Sequence, residues 1–151
     1  MLNKAREITR ELGIENRVVI TGQIEHDKLA KSGIFGACNL FVLASRTETG
    51  PLAVLEAQAN GLVCVVAKGK GMKLVEDGVN GYIADPNDKQ AFANAIVRLL
   101  TNRREYVRMK KATLHNIKKY EFAHVIDLWE KTYAKLIKVK KKSISDPSSA
   151  F

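Results

Sequence analysis

Two cysteines, three prolines and one tryptophan are all that this 151-residue chain holds of those residues. No apolar run approaches the ~18 residues that read as a membrane span. Cys38 and Cys64 are too few for a disulfide framework or a cysteine-bound zinc, and a reducing compartment is the default expectation. The polar start MLNKAREITRE is not a signal peptide. What is present suits one globular domain: 46% hydrophobic and 27% charged residues, enough to bury a core.

Charge of one sign is in excess, but only locally. Residues 1–101 carry 12 Lys+Arg against 11 Asp+Glu, net +1, whereas residues 102–142 carry 13 against 4, net +9. Asp146 is the one charge beyond them. A solvated helix face with a basic tail explains this pattern, and so does contact with an anionic membrane surface or an acidic partner. Nucleic acid fits least, because no aromatic or glycine-rich recognition motif accompanies the charge.

Apolar spacing predicts the order of elements. Leu2, Ala5, Ile8 and Leu12 mark a helix stopped by Gly13. Residues 18–21 (VVIT), 39–44 (around LFVLA), 63–67 (VCVVA) and 81–84 read as buried strands. A short helix falls near residues 27–32, another runs from Pro51 to Asn60 with Gly61 after it, and a third, after a glycine-broken loop, runs through Val75. Beyond Asn87 three helical stripes follow: Phe92, Ile96 and Leu99; Tyr106, Met109 and Ile117; and Phe122, Val125, Ile126, Trp129, Tyr133, Leu136 and Ile137. The tail from Lys138 loses its apolar period and is expected to be disordered, which gives a domain over residues 1–137 and a basic tail over 138–151. Strands without polar alternation, separated by helices, predict an α/β fold: a Rossmann-like parallel sheet with helices on both faces and a helical C-terminal extension.

Ligands of such sheets sit at the carboxyl ends of the strands, which points to residues 22–26, 45–51 and 68–72. In Ser45-Arg46-Thr47-Glu48-Thr49-Gly50-Pro51, a strand meets a helix start whose free N–H groups suit a phosphate or a sugar hydroxyl. Pro51 offers no N–H, so the donors are Gly50 and the amides from Leu52 onward. A plain helix cap with a solvated Glu48 is the simpler alternative. Glu56 stands in an otherwise apolar helix; a ligand hydroxyl or a backbone amide could hold it, or its side of the helix faces solvent. Glu48 and Glu56 together suit a ligand with hydroxyls at two places and phosphates between, such as a sugar nucleotide. Lys68 and Lys70 are phosphate contacts or exposed loop lysines. His26 opens a short helix as a cap or surface residue, His115 and His124 lie in basic amphipathic helices with no carboxylate pair or Ser/Cys at suggestive spacing, Cys38 and Cys64 pack, and Trp129 belongs to a core stripe.

The run FVLASRTETGPLAVLEAQANGLVCVVA, followed by LVEDGVNGYIADPND, resembles the C-terminal, donor-binding domain of family 4 retaining glycosyltransferases of the GT-B fold. Glu48 and Glu56 match that family's E-x7-E motif, within an ordered context that extends to Glu76-Asp77-Gly78 and Asn80-Gly81. The resemblance implies that Glu48 contacts the transferred sugar near the reacting carbon and that the amides of Thr49, Gly50 and Leu52 hold that sugar and the diphosphate. It further implies that Glu56 binds the ribose hydroxyls and that Gly22, Gln23 and Ile24 lie beside the base. The donor would be a UDP-, GDP- or ADP-sugar, with no bound metal or other cofactor, and the acceptor a glycan or lipid.

Three features depart from the family. The Arg and Lys that neutralise the leaving diphosphate would follow a strand preceding Met1. The family's N-terminal acceptor-binding domain has no counterpart within these 151 residues and is expected to be missing. The loop KGKGMK is short, with Lys73 where an acidic residue is common. The expectation is therefore a cytoplasmic donor-binding half of a transferase, inactive in isolation and possible at a membrane periphery through its basic helices. The alternatives are a non-catalytic nucleotide-sugar-binding module that needs a partner chain, and a basic scaffold at a membrane surface.

Overall fold

In a computed structural model the described residues are 2–45, 52–69 and 73–145, without the side chains of Ala30 and of residues 139–145. The chain divides into two compact units, Met1–Ala37 and Cys38–Phe151.

The first unit is helical. It holds α1 (Leu2–Glu11), a 3-10 turn (Glu15–Arg17), α2 (His26–Lys31) and α3 (Ile34–Ala37). Arg10 and Glu15 pair at 3.4 Å across the turn that ends α1. The strand expected at residues 18–21 is not formed. Val18 is extended, but the sheet consists of three other strands, and Val19 is 88% exposed. β-branched residues favour an extended backbone, yet a strand exists only where a neighbour takes up its N–H and C=O groups.

The second unit carries the sheet: β1 (Leu40–Leu43), β2 (Val63–Ala67) and β3 (Gly81–Ala84), in the order β1-β2-β3 and parallel throughout. β2 is central, and all five of its residues are buried. The register sets Leu40 beside Val63, and Val65 beside Tyr82. These four residues form one core with Phe92, Ala95, Ile96 and Leu99 of α5 (Lys89–Thr101) and Tyr106 and Met109 of α6 (Arg103–Asn116). Phe41, Cys64 and Val66 alternate to the other face. The crossover helix α4 (Leu52–Ala59) packs on β1 and β2, so helices cover both faces of a Rossmann-like sheet. Burial pushes the Cys64 thiol up to about 12, so it remains a neutral packing group.

Polar residues fix the helices to this sheet. Asp88 caps α5 by accepting from the Ala91 N–H at 2.8 Å, and Asn102 caps α6 by accepting from the Glu105 N–H at 3.1 Å. The Tyr106 hydroxyl donates to the Asn39 carbonyl at 3.0 Å, at the entry to β1. Glu105 accepts from Arg98 through both Nε (2.7 Å) and a terminal nitrogen (2.9 Å), and from the Tyr82 hydroxyl. The Arg98 guanidinium also lies 5.4 Å from the centre of the Tyr82 ring.

The hydrogen bonds from Arg98 and Tyr82 hold the Glu105 carboxyl below its usual range. A depressed carboxyl favours the folded state fully above its unfolded value of ~4.3 and loses that contribution as pH falls through the folded value. Replacement of Glu105 by Gln should therefore lower the melting temperature at neutral pH, with the deficit shrinking as pH drops through the acid range. A deficit of constant size from pH ~7 to pH ~3 would contradict this role.

Two further expectations change. The helix expected through Val75 is not formed among the described residues: residues 73–74 are a turn, and side-chain amides occupy the Leu74 carbonyl (below). The third apolar stripe forms a helix, α7 (Phe122–Ser145), but its residues are not core: Phe122 is 80% exposed and Trp129 is 57% exposed. Trp129 stacks at 5.6 Å on Tyr133, itself exposed, and not within a core. α7 also continues past Lys138, and residues 146–151 lie outside the described residues.

Candidate functional site

The carboxyl end of β1 leads towards the start of α4, where a Rossmann-like sheet opens its ligand crevice. Glu48, Thr49 and Gly50 lie outside the described residues, as do Arg46, Pro51 and Lys70. Leu52 is the first residue of α4, and its side chain is 70% exposed, so the helix start carries no apolar cover. A helix start of this kind presents a positive dipole end, and in the chain α4 follows the segment that contains the first glutamate of the motif.

Glu56 lies one turn into α4 and is half-buried. Val54, Ala57 and Gln58 form the buried side of that helix, and Glu56 stands away from them. With Leu55 and Ala59 it borders a mainly apolar groove of about 260 Å³, closed by Ile117, Tyr120 and Glu121. The two sequence-level alternatives for Glu56 were a buried carboxylate and a solvated one, and its position lies between them.

Gly22, Gln23 and Ile24 belong to the first unit, in the irregular segment before α2, with Ile24 half-buried. Lys68 is exposed just beyond β2, its N–H donating to the Ala84 carbonyl at 2.8 Å, and Lys73 is exposed as well. His115 and His124 are exposed on α6 and α7. Among the described residues, no group of three or more His, Cys, Asp or Glu side chains could hold a metal ion.

Sequence reasoning missed the polar network behind α4. Gln58 Nε2 donates to the Leu74 carbonyl at 2.9 Å, and Asn80 Nδ2 donates to the same oxygen at 3.1 Å. The Asn80 side-chain oxygen accepts from the Glu76 N–H at 2.7 Å, and the Asn80 carbonyl accepts from the Thr113 hydroxyl at 3.0 Å. Arg108 donates to the Gly78 carbonyl at 2.9 Å, and Asp77 accepts from the Ile83 N–H at 2.8 Å. The Glu76-Asp77-Gly78 and Asn80-Gly81 motif is thus a hydrogen-bonded turn. The available signal was a glutamine on the buried side of an apolar helix.

Fold and sequence context together define a Rossmann-like domain of the GT-B type. The model of the family described as glycosyl transferases group 1 matches residues 1–115, and the chain belongs to that family, whose members share the GT-B fold. Mannosylfructose-phosphate synthase of Agrobacterium fabrum is 30% identical over 116 residues, which are 76% of this chain and 25% of that protein. An Escherichia coli UDP-Gal:alpha-D-GlcNAc-diphosphoundecaprenol alpha-1,3-galactosyltransferase is 43% identical over 67 residues, 44% of this chain and 17% of that one. The chain therefore spans about a quarter or less of the length of these two relatives. Among solved structures, sucrose-phosphate synthase of Thermosynechococcus elongatus superposes with a TM-score of 0.76 at 24% identity, over 91% of this chain and 34% of that one. HepE of Anabaena, solved in complex with UDP, superposes with a TM-score of 0.75 at 26% identity, over 91% of this chain and 36% of that one.

Proposed function

We propose that the chain is the donor-binding part of a retaining glycosyltransferase that moves a sugar from a nucleoside-diphosphate sugar to a glycan or lipid acceptor. The observation that carries this reading is Glu56, half-buried one turn inside α4, a helix that begins in the chain four residues after the first glutamate of the E-x7-E pair. Complexes of the similar HepE with UDP and with UDP-glucose support a uridine nucleotide among the candidates, beside GDP and ADP. Glu56 binds the ribose hydroxyls, and the amides of Thr49, Gly50 and Leu52 hold the diphosphate and the transferred sugar. Glu48 acts at that sugar near the reacting carbon, and Gly22, Gln23 and Ile24 flank the base. These groups work by positioning and by stabilising negative charge on the departing diphosphate. No metal takes part in this reading. The acceptor is held by a further domain, as the greater length of the relatives suggests, and this chain alone transfers no sugar.

No helix among the described residues is long and apolar enough to cross a membrane. We place the protein in the cytoplasm. The exposed apolar face of α7, on the same helix as the exposed Lys131, Lys135 and Lys138, offers a peripheral contact with anionic lipid. A non-catalytic module that binds nucleotide sugars beside a partner chain would share the same donor site.

A thermal-shift panel of UDP, GDP, ADP and their common sugar conjugates tests the donor site. A ligand at ~100 times its dissociation constant adds ~2.7 kcal/mol. At ~2–4 °C per kcal/mol for a chain of this size, the nucleotide with the matching base should raise the midpoint by ~5–10 °C. An unmoved midpoint across the whole panel would overturn the donor reading.

A further inference from the structure

We propose that Gln58 and Asn80 are positioning residues that act through the Leu74 carbonyl to hold α4, and with it Glu56, in place for the nucleotide. The part that concerns nucleotide rests on the function proposed above; the linkage itself does not.

Both side chains are buried, at 1% exposure each, and both amides converge on one oxygen. A carbonyl has two lone pairs, so Leu74 is saturated by these two donors. Gln58 comes from α4, and Asn80 ends the turn that leads into β3. Asn80 is itself tied to α6 by Thr113, which is fully buried. A continuous path therefore runs from α4 through Leu74 and Asn80 to α6, and each step is a hydrogen bond of 2.9–3.1 Å.

Burial alone does not require this arrangement. An apolar side chain at position 58 would fill the same volume, and the Leu74 carbonyl would keep its bond from Asn80, so no buried polar group would be left without a partner. Apolar packing does not specify how far a helix is turned about its own axis, whereas a directional bond does. Gln58 follows Glu56 by two residues, ~200° around the helix. A bond that pins the buried side at Gln58 therefore sets where the Glu56 carboxylate emerges on the other side. Support of this kind, behind a contacting residue, decides whether a site is present with the correct geometry or only nearby.

The test compares Gln58→Met with Leu99→Val in the full 151-residue chain. Gln58→Met keeps length and volume and leaves Leu74 paired to Asn80, so the fold should persist. Leu99→Val is a mild core change on the α5 side of the sheet and controls for general destabilisation. Two quantities are read: affinity for UDP, GDP or ADP, and amide hydrogen exchange through α4. Gln58→Met should weaken nucleotide binding by about tenfold, short of the ~10²-fold that a 1 Å misplacement can cost, and should speed exchange in α4. Leu99→Val should do neither. Affinity and α4 exchange equal to wild type in Gln58→Met, or changes matched by Leu99→Val, would overturn the proposal. If the wild-type chain binds none of the three nucleotides, the donor reading fails by itself. The linkage is then decided by exchange: faster exchange in α4 of Gln58→Met alone upholds it, and equal exchange in the two variants refutes it.

Discussion

Replacement of Gly81 by Ala should lower the melting temperature more than the same change at Gly78. A Cβ at this position would overlap the Cys64 carbonyl oxygen and would stand 2.9 Å from Val75 Cγ1 and 3.3 Å from the Cys64 carbonyl carbon. Cys64 is the residue paired with Gly81 across β2 and β3, so the obstacle is the backbone of the central strand and cannot rotate aside. Relief requires β3 to move off β2, which disturbs the ladder, the Asp77–Gly81 bridge and the Asn80 network together. Overpacking of this kind costs ~1–3 kcal/mol or more, and a contact with backbone stands at the upper end; at ~2–4 °C per kcal/mol, ~3 kcal/mol lowers the midpoint by roughly 6–12 °C. Gly78→Ala is the control: its Cβ would meet nothing within 4 Å, and the cost is limited to the φ of +74°. That strain is worth ~1–2 kcal/mol. Circular-dichroism melts of the two variants would contradict this packing if Gly81→Ala melted within ~2 °C of wild type.

The second large effect is expected on ligand binding and not on stability. Glu56→Ala should weaken nucleotide binding by about 10- to 100-fold, because a hydrogen bond to a charged group contributes ~1.5–3 kcal/mol. The same change should move the melting temperature of the unliganded chain little, since Glu56 stands away from the buried side formed by Val54, Ala57 and Gln58. Titration calorimetry on both chains separates the two effects. Loss of affinity together with a collapse in stability would assign Glu56 to the fold instead of the site.

How much of this was legible in the sequence depended on whether the deciding partner lay nearby in the chain. β2 reads as a buried strand because VCVVA is apolar at every position, and the structure buries all five residues. α5 and α6 read as helices because their apolar residues recur at helical spacing, and Leu99 and Met109 are indeed core. Residues 18–21 carry the same β-branched signal as β2, but a strand also needs a neighbour to pair with, and that is not a local property. α7 shows the opposite case. Its stripe correctly predicted a helix, but amphipathic spacing reports only that one side is apolar, not what covers it.

The site divides in the same way. Glu56 was visible as a carboxylate in an apolar helix, and only the ordered context of residues 39–84 gave it a role. Gln58 and Asn80 meet at Leu74 across 16 and 6 residues, a convergence that no local spacing reveals. The turn at residues 73–74 was misread as a helix for that reason, since its backbone groups bond to side chains brought from α4 and from the start of β3.

The central claim is that Glu56 reads the ribose of a nucleoside diphosphate, and the most direct measurement is a two-by-two set of dissociation constants. The wild-type chain and Glu56→Ala are each titrated with the nucleotide that stabilises the protein and with its 2′,3′-dideoxy form. The account predicts that wild type loses about 10- to 100-fold in affinity when the hydroxyls are removed, while Glu56→Ala binds both forms equally weakly. Equal discrimination between the two nucleotides by both proteins would contradict it.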